Sequence, residues 1–334
     1  MLETIVSLLF KPIRAGLALI MAFLSVFGGI AGIEQGKIAH KNDGCLASFA
    51  VISDTHLTTA NGRREVLEIG FEDMSKAKDR LDALVVNGDI TDGGEPEQWE
   101  SFVKAILRYD ITDNKIMVIG NHDTWGGDES YEYTFGNFAK YSKEATGREI
   151  DHVYFSTEIN GCPAIVLGSE GNHVSATVSD EQIEWFATEM EAASQTGKPI
   201  FVFFHQPVND THGLPYTWEM DGEDGPGTGG IGDASDRILE IIQKYDNVFY
   251  ISGHIHAGFS GEGDSKYYIS VEKYDGYTLI NTPCYMYPDV LRGGNMANGT
   301  GYVIEVYENE VLIRARNFIT GSWLPKYDVT VPLS

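Results

Sequence analysis

Five apolar runs of strand length each stop at a carboxylate, an amide or an imidazole, and no other feature constrains this chain as tightly. "FAVISDTH" (49–56) closes on Asp54 and His56, "ALVVNGDITD" (83–92) on Asp89 and then Asp92, and "IMVIGNHD" (116–123) on Asn121, His122 and Asp123. "IFVFFHQP" (200–207) reaches His205, and "VFYISGHIH" (248–256) reaches His254 and His256. Continuous apolar runs suit strands covered on both faces. In parallel α/β sheets, ligands gather at the carboxyl ends of the strands. Buried polar side chains in turn need partners.

Between the runs lie helical patterns. "EPEQWESFVKAILRY" sets Trp99, Phe102, Val103, Ile106 and Leu107 on one face. "SDEQIEWFATEMEAA" opens with Ser179 and Gln182 at capping-box spacing and continues with Ile183, Phe186 and Met190, while "DRILEIIQKY" carries Ile238, Leu239 and Ile242. Strand–helix alternation predicts an α/β protein with a largely parallel sheet. The tail differs: "YTLINTPC", "TGYVIEVYENEVLIRARNF" and "KYDVTVPL" read as antiparallel strands, with a hairpin turn at Glu308-Asn309-Glu310. These are expected to form a second sheet against the first, giving a two-sheet α/β/β/α sandwich. Segments 124–150 and 209–235 read as long loops of the kind that carry function. Their Tyr131, Tyr133, Phe135, Tyr216 and Trp218 are expected to pack as loop cores, with stacking on a base or sugar the alternative. His212 is expected to be a solvated loop histidine.

The chain has 334 residues and is 43% hydrophobic, enough for a substantial core. A formal net charge of −25 argues against binding a nucleic-acid backbone. It leaves phosphorylated substrates open, because a bound cation reverses the local sign. Three cysteines, Cys45, Cys162 and Cys284, make no disulfide framework. Lys11 and Arg14 precede the uncharged run Ala15 to Ile33, and Gly29-Ile30-Ala31 fits a small-residue cleavage site. Residues 1–47 therefore read as a signal peptide or membrane anchor plus a polar linker, and 48–334 as one catalytic domain. That puts the domain outside the cytoplasm, with membrane contact only through the N-terminal segment.

A metal cluster accounts for the strand ends. Asp54 and His56 are two apart, as are His254 and His256, so on extended backbone each pair points one way. Gly88, Gly120 and Gly253 let the chain turn sharply so that the next side chain enters the cluster. An Asp, Asn and His donor set without cysteine suits Mn, Fe or Zn.

The ordered set D-x-H, G-D-x-x-D, G-N-H-D, H and G-H-x-H, each after a strand, resembles the calcineurin-like metallophosphoesterase superfamily over roughly residues 48–260. The resemblance implies one metal held by Asp54, His56, Asp89 and His256. It implies a second held by Asp89, Asn121, His205 and His254, with Asp89 shared. It implies that His122 serves the leaving group without binding metal, that Asp123 orients His122, and that Asp92 lies behind the ligands. A tyrosine ligand, as G-D-x-x-Y, marks the purple acid phosphatase branch, but here that position is Asp92. The separate substrate domain of the periplasmic 5′-nucleotidases is not expected either. The implied activity is hydrolysis of a small phosphate mono- or diester by a hydroxide bridging two divalent ions, with His122 assisting the leaving group. The alternative is a non-catalytic metal-binding scaffold of the same fold.

Overall fold

Successive residues on the central strands face opposite layers, which is why their sequences are apolar without interruption. In the computed structural model, Phe49 and Val51 of β2 (Ala47–Ile52) enter a core that they share with Phe201, Phe203, Phe249 and Ile251. Their neighbours Ala50 and Ile52 face a second core with Leu67, Phe71 and Phe102, which come from helices. Each such side chain, fully buried, contributes about 1.5–3 kcal/mol. The structure describes residues 33–60, 62–125, 130–171, 174–219, 229–286, 294 and 297–334, without the side chains of Trp218 and Glu219.

Two sheets stack on the first of these cores. The larger has eight strands. Its parallel part is β2, β3 (Ala83–Asn87) and β4 (Lys115–Val118), with Phe49 opposite Ala83 and Leu84 opposite Lys115. On the other side of β2, β11 (Thr300–Val306) runs antiparallel and is followed by β12 (Glu310–Asn317). Beyond β12 lie β13 (Ser322–Trp323), β14 (Val329–Pro332) and β1 (Glu34–Gln35). The six-stranded sheet has the order β5 (Phe155–Ile159), β6 (Cys162–Val166), β7 (Ile200–Phe203), β8 (Val248–Ser252), β10 (Tyr277–Asn281), β9 (Val271–Lys273). Its four inner strands are parallel. Helices Arg63–Ser75, Pro96–Ile106 and Tyr131–Thr146 lie on the outer side of the larger sheet, and Asp180–Ser194 and Ser235–Ile242 on that of the smaller. The α/β/β/α sandwich is as expected.

Several expectations change. The tail strands β11, β12 and β14 extend the first sheet, and the second sheet comes from the middle of the chain. "YTLINTPC" supplies β10, which pairs parallel to β8 and antiparallel to β9. Segment 124–150 holds the helix Tyr131–Thr146, capped by Ser130 and ended by Gly147 at φ 76°. Tyr131 and Phe135 pack against the core, as expected, while Tyr133 stays exposed. Segment 209–235 contains the short helix Tyr216–Glu219, and Tyr216 stacks on Tyr267 at 5.2 Å. Leu107 falls just past its helix and is exposed. The polar linker is not free from Glu34 onward: β1 pairs with β13, and Ile38 is buried. Cys162 and Cys284 are buried. The export segment Ala15 to Ile33, with Lys11 and Arg14, lies outside the described residues except for Ile33. Among those residues, no helix is long and apolar enough to cross a membrane.

Candidate metal centre

The five polar strand ends meet where the carboxyl edges of both sheets come together. Strands β2, β3 and β4 deliver Asp54, Asp89 and Asn121 from one sheet, and β7 and β8 deliver His205 and His254 from the other. Backbone bonds join the loops. Asp54 N donates to Gly88 O at 3.1 Å, His56 N to Asp89 O at 2.9 Å, and Gly253 N to His205 O at 2.9 Å.

The local backbone differs from the extended chain expected at D-x-H and H-x-H. Asp54, His56, Asp89, His254 and His256 all have left-handed φ, of 56°, 40°, 47°, 73° and 57°. A non-glycine residue there costs of order 1–3 kcal/mol and persists only where its surroundings hold it. The glycines also act differently from expectation. Only Gly88, at φ 87°, uses the left-handed freedom. Gly120 and Gly253 are required by close approach. A Cβ on Gly120 would run into the Asp89 backbone and carboxylate, and one on Gly253 into Ser53 Oγ and Asp54 Oδ2. A Cβ on Gly88 would meet the His205 ring as well.

Donor atoms converge in two groups that share Asp89. In the first, His56 Nε2 and His256 Nε2 are 2.8 Å apart, His256 Nε2 lies 3.4 Å from Asp54 Oδ1, and His56 Nε2 lies 3.8 Å from Asp89 Oδ2. In the second, His205 Nε2 is 3.1 Å from Asp89 Oδ2, and His254 completes the group. Donors that share one first-row ion, with bonds near about 2.1 Å, stand roughly 3–4 Å apart. Asn121 precedes His122, whose N–H donates to Asp89 Oδ1 at 2.9 Å. Asp89 Oδ2, Asn121 Oδ1 and His205 Nε2 are buried without a hydrogen-bond partner. Orphaned donors of this kind are costly unless something fills the space between them. Divalent cations suit such donors, and the two groups bring together six of the seven candidate ligands read from the sequence, all but Asn121.

The electrostatics agree. Burial pushes the Asp89 carboxyl up, but the charges of His205 and His122 outweigh it and hold the group well below the carboxylate range. Asp54 is lowered in the same way: burial opposes, while a hydrogen bond from His256 and the charge of His205 prevail. Burial works against charge on His205, yet Asp89 beside it raises that imidazole to about 9. His256 also rises to about 9, against burial, because the Asp54 and Asp89 carboxylates lie beside it. Two buried carboxylates thus draw positive charge onto their neighbours, and in the protein alone protons supply it.

Surrounding groups fix the rings. His205 Nδ1 lies 2.8 Å from Asn87 O, which can only accept, so Nδ1 carries the proton and Nε2 faces the cluster. Asp92 Oδ1 approaches His56 Nδ1 at 3.5 Å and Arg63 at 3.4 Å. His122 Nδ1 lies 2.9 Å from the Asp92 backbone carbonyl, which leaves Nε2 as the ring atom available to a substrate. His56, Asp92 and His122 also come close as a third group, but Nδ1 of His122 is taken up in this way.

Two readings need correction. Asp123 does not orient His122: its carboxylate accepts from Ile90 N, Thr91 N, Thr91 Oγ1 and Gly120 N, and so ties the Asp89 loop to the Asn121 loop. Burial, with the Asp89 charge added, pushes that carboxyl up to about 6. His212 is not solvated. It is 1% exposed, with Nδ1 on Ile269 O at 2.8 Å. Sequence reasoning missed Asn87, whose carbonyl takes both His205 and Ser53 Oγ and whose amide donates to Ile251 O. It also missed Asn281, which donates to Gly253 O. The one signal was an amide at the end of an apolar strand, as at Asn121.

Residues 47–258 match the family described as calcineurin-like phosphoesterase, and the chain belongs to it. It is 26% identical over 216 residues to a probable cyclic nucleotide phosphodiesterase of Rhodococcus erythropolis, covering 61% of this chain and 63% of that protein. Over 173 residues it is 24% identical to the glycerophosphodiester phosphodiesterase GpdQ of Enterobacter lignolyticus, covering 48% of this chain and 56% of that protein. The matches thus span about three fifths of these relatives. A dimetal phosphatase from Danio rerio shares the fold, with a TM-score of 0.59 at 13% identity, over 87% of this chain and all of that one.

Proposed function

We propose that this protein hydrolyses small phosphate esters with two divalent ions, Mn, Fe or Zn, and prefers diesters to monoesters. The carrying observation is that Asp89 Oδ2 and His205 Nε2, in two donor groups that share Asp89, are buried without hydrogen-bond partners, as is Asn121 Oδ1. The diester preference draws on the two curated relatives, both named as phosphodiesterases. Asp54, His56, Asp89 and His256 would hold one ion, and Asp89, Asn121, His205 and His254 the other. When bound, the ions would neutralise phosphoryl charge and make a water acidic enough to attack phosphorus at neutral pH. The chain's own residues do the rest. Asn87 O and Asp92 keep His205 and His56 turned toward the cluster. With Nδ1–H held by Asp92 O, His122 in its doubly protonated form passes the Nε2 proton to the departing alkoxide and is left neutral.

Metal analysis, combined with turnover of bis-p-nitrophenyl phosphate against p-nitrophenyl phosphate, tests this. The expected result is about two ions per chain and a higher kcat/KM for the diester. A protein that binds metal and turns over neither ester is a scaffold, and the proposal fails.

The same proposal puts the domain outside the cytoplasm, with small phosphorylated molecules as its partners. It is supported by Lys11 and Arg14 ahead of the uncharged run Ala15 to Ile33. Added protease should digest the domain in intact or outer-membrane-permeabilised cells. Protection until full lysis would overturn the assignment.

A further inference from the structure

We propose that Trp125 is the recognition platform for an aromatic ring, such as a nucleobase, on the departing alcohol of the ester, so that ring-bearing esters are selected over saturated ones. The proposal rests on the phosphoesterase reading and names the substrate class of the same site.

Trp125 follows the 3-10 turn His122–Thr124, and its N–H donates to His122 O at 3.3 Å. Its ring lies 4.8 Å from the His122 imidazole, tilted by 43°. His122 is in turn 4.6 Å from His56 and 6.4 Å from His256. The indole is therefore one ring removed from the metal donors, on the side of the residue that serves the leaving oxygen.

At that tilt the imidazole does not lie flat on the indole, and Trp125 remains 51% exposed. Trp99, which packs in the core, is 0% exposed. An exposed apolar side chain on its own is ordinary. Position is what distinguishes this one. Of the exposed large apolar residues described, Tyr216 and Tyr274 stack on other tyrosines, and Trp125 contacts a residue of the centre.

An open indole face takes any planar ring and gives a saturated chain much less. Stacking also needs no cation, which suits a chain with 24 basic and 49 acidic residues. If Trp125 only propped His122, its loss would weaken turnover most for the ester with the poorer leaving group, glycerophosphoethanolamine.

The test uses the metal-loaded full chain and the variants Trp125→Phe and Trp125→Ala. Bis-p-nitrophenyl phosphate is compared with glycerophosphoethanolamine. Trp125→Ala should lower kcat/KM for the ring-bearing ester about tenfold more than for the saturated one, chiefly through KM, with Trp125→Phe in between. A binding readout runs beside it: adenosine 5′-monophosphate should quench tryptophan emission, inorganic phosphate should not, and Trp125→Phe should lose most of the response. A loss on the saturated ester equal to or greater than that on the ring-bearing one, or an unchanged nucleotide response in Trp125→Phe, overturns the proposal. If the wild type cleaves no ester, the phosphoesterase reading is what fails, and the quenching still decides the role of Trp125.

Discussion

Asp123 and His122 are neighbours in sequence with separate tasks. Asp123 offers two oxygens to four donors in two ligand loops, while His122 hangs from the Asp92 carbonyl. Asp123→Asn keeps the volume but turns one acceptor into an NH2 group that faces N–H donors. It should cost about 1–3 kcal/mol, the penalty for buried donors left without partners, and lower metal content. Its rate loss should not depend on the leaving group. His122→Ala should keep its metals and lose about 10²–10⁴-fold in rate, most for poor leaving groups. Metal content and a leaving-group series on both variants check the pair. A leaving-group-dependent loss in Asp123→Asn would restore the role that its place in the sequence suggested.

At the level of elements, polar groups decide how the tail attaches. Helix Asp180–Ser194 starts on Ser179, whose Oγ accepts from Gln182 N, as the capping spacing predicted. The Gln182 side chain does not return to the cap. It holds Gly168 N and O, beyond the end of β6, and so pins the helix to its strand. On the outer face of β11 and β12, the N-terminal segment covers a buried ion pair. Arg314 reaches Glu305 at 2.5 Å and Ala39 O at 2.7 Å, while Glu305 also accepts from Lys41 N and Tyr307 OH. The Arg314 and Arg316 guanidinium groups lie 3.6 and 4.5 Å from the Trp323 ring, and Arg316 bridges to Asp73. Arg314→Leu strands the Glu305 charge and should destabilise the domain by about 3–5 kcal/mol. Denaturant unfolding measures this. A change below about 1 kcal/mol would mean that the pair is dispensable. The metal content of the folded fraction should stay at the wild-type level.

At the level of the whole molecule, the centre concentrates in one spot the charge problem of an acidic chain. His205 and His256 have folded values near 9, raised from 6.5. A raised value means that the folded state binds the proton more tightly, so this stabilisation is complete below about 6.5 and is lost as pH rises through about 9. Asp54 and Asp89, lowered from 3.8, contribute in the opposite sense, with stability present above that value and lost in acid. Divalent ions compete with the imidazole protons. Metal binding at pH 7 should release up to two protons per chain, and affinity should rise with pH until about 9. Calorimetric titration in buffers of different ionisation enthalpy reads the release directly. A binding heat that does not vary with buffer would contradict it.

The sequence by itself determined the long apolar strands, the layer order and the polar residues that end the strands. Those features are local: an apolar run buried on both faces reads as such in any context, and five such runs with polar ends in one order point to one site. Asp54, His56, Asp89, Asn121, His205, His254 and His256 were legible for that reason. What only the tertiary structure decided is which sheet each strand joins and what each side chain faces. The tail strands extend the first sheet because Ile304 pairs with Phe49 and Val303 with Ala50, a choice between partners far apart in the chain. The left-handed turns at five ligands, the capture of Asp123 by Thr91 and Gly120, and the burial of His212 were hidden for the same reason. Each depends on where a distant loop places its N–H and C=O groups, and the pattern of side chains along one strand carries no record of that.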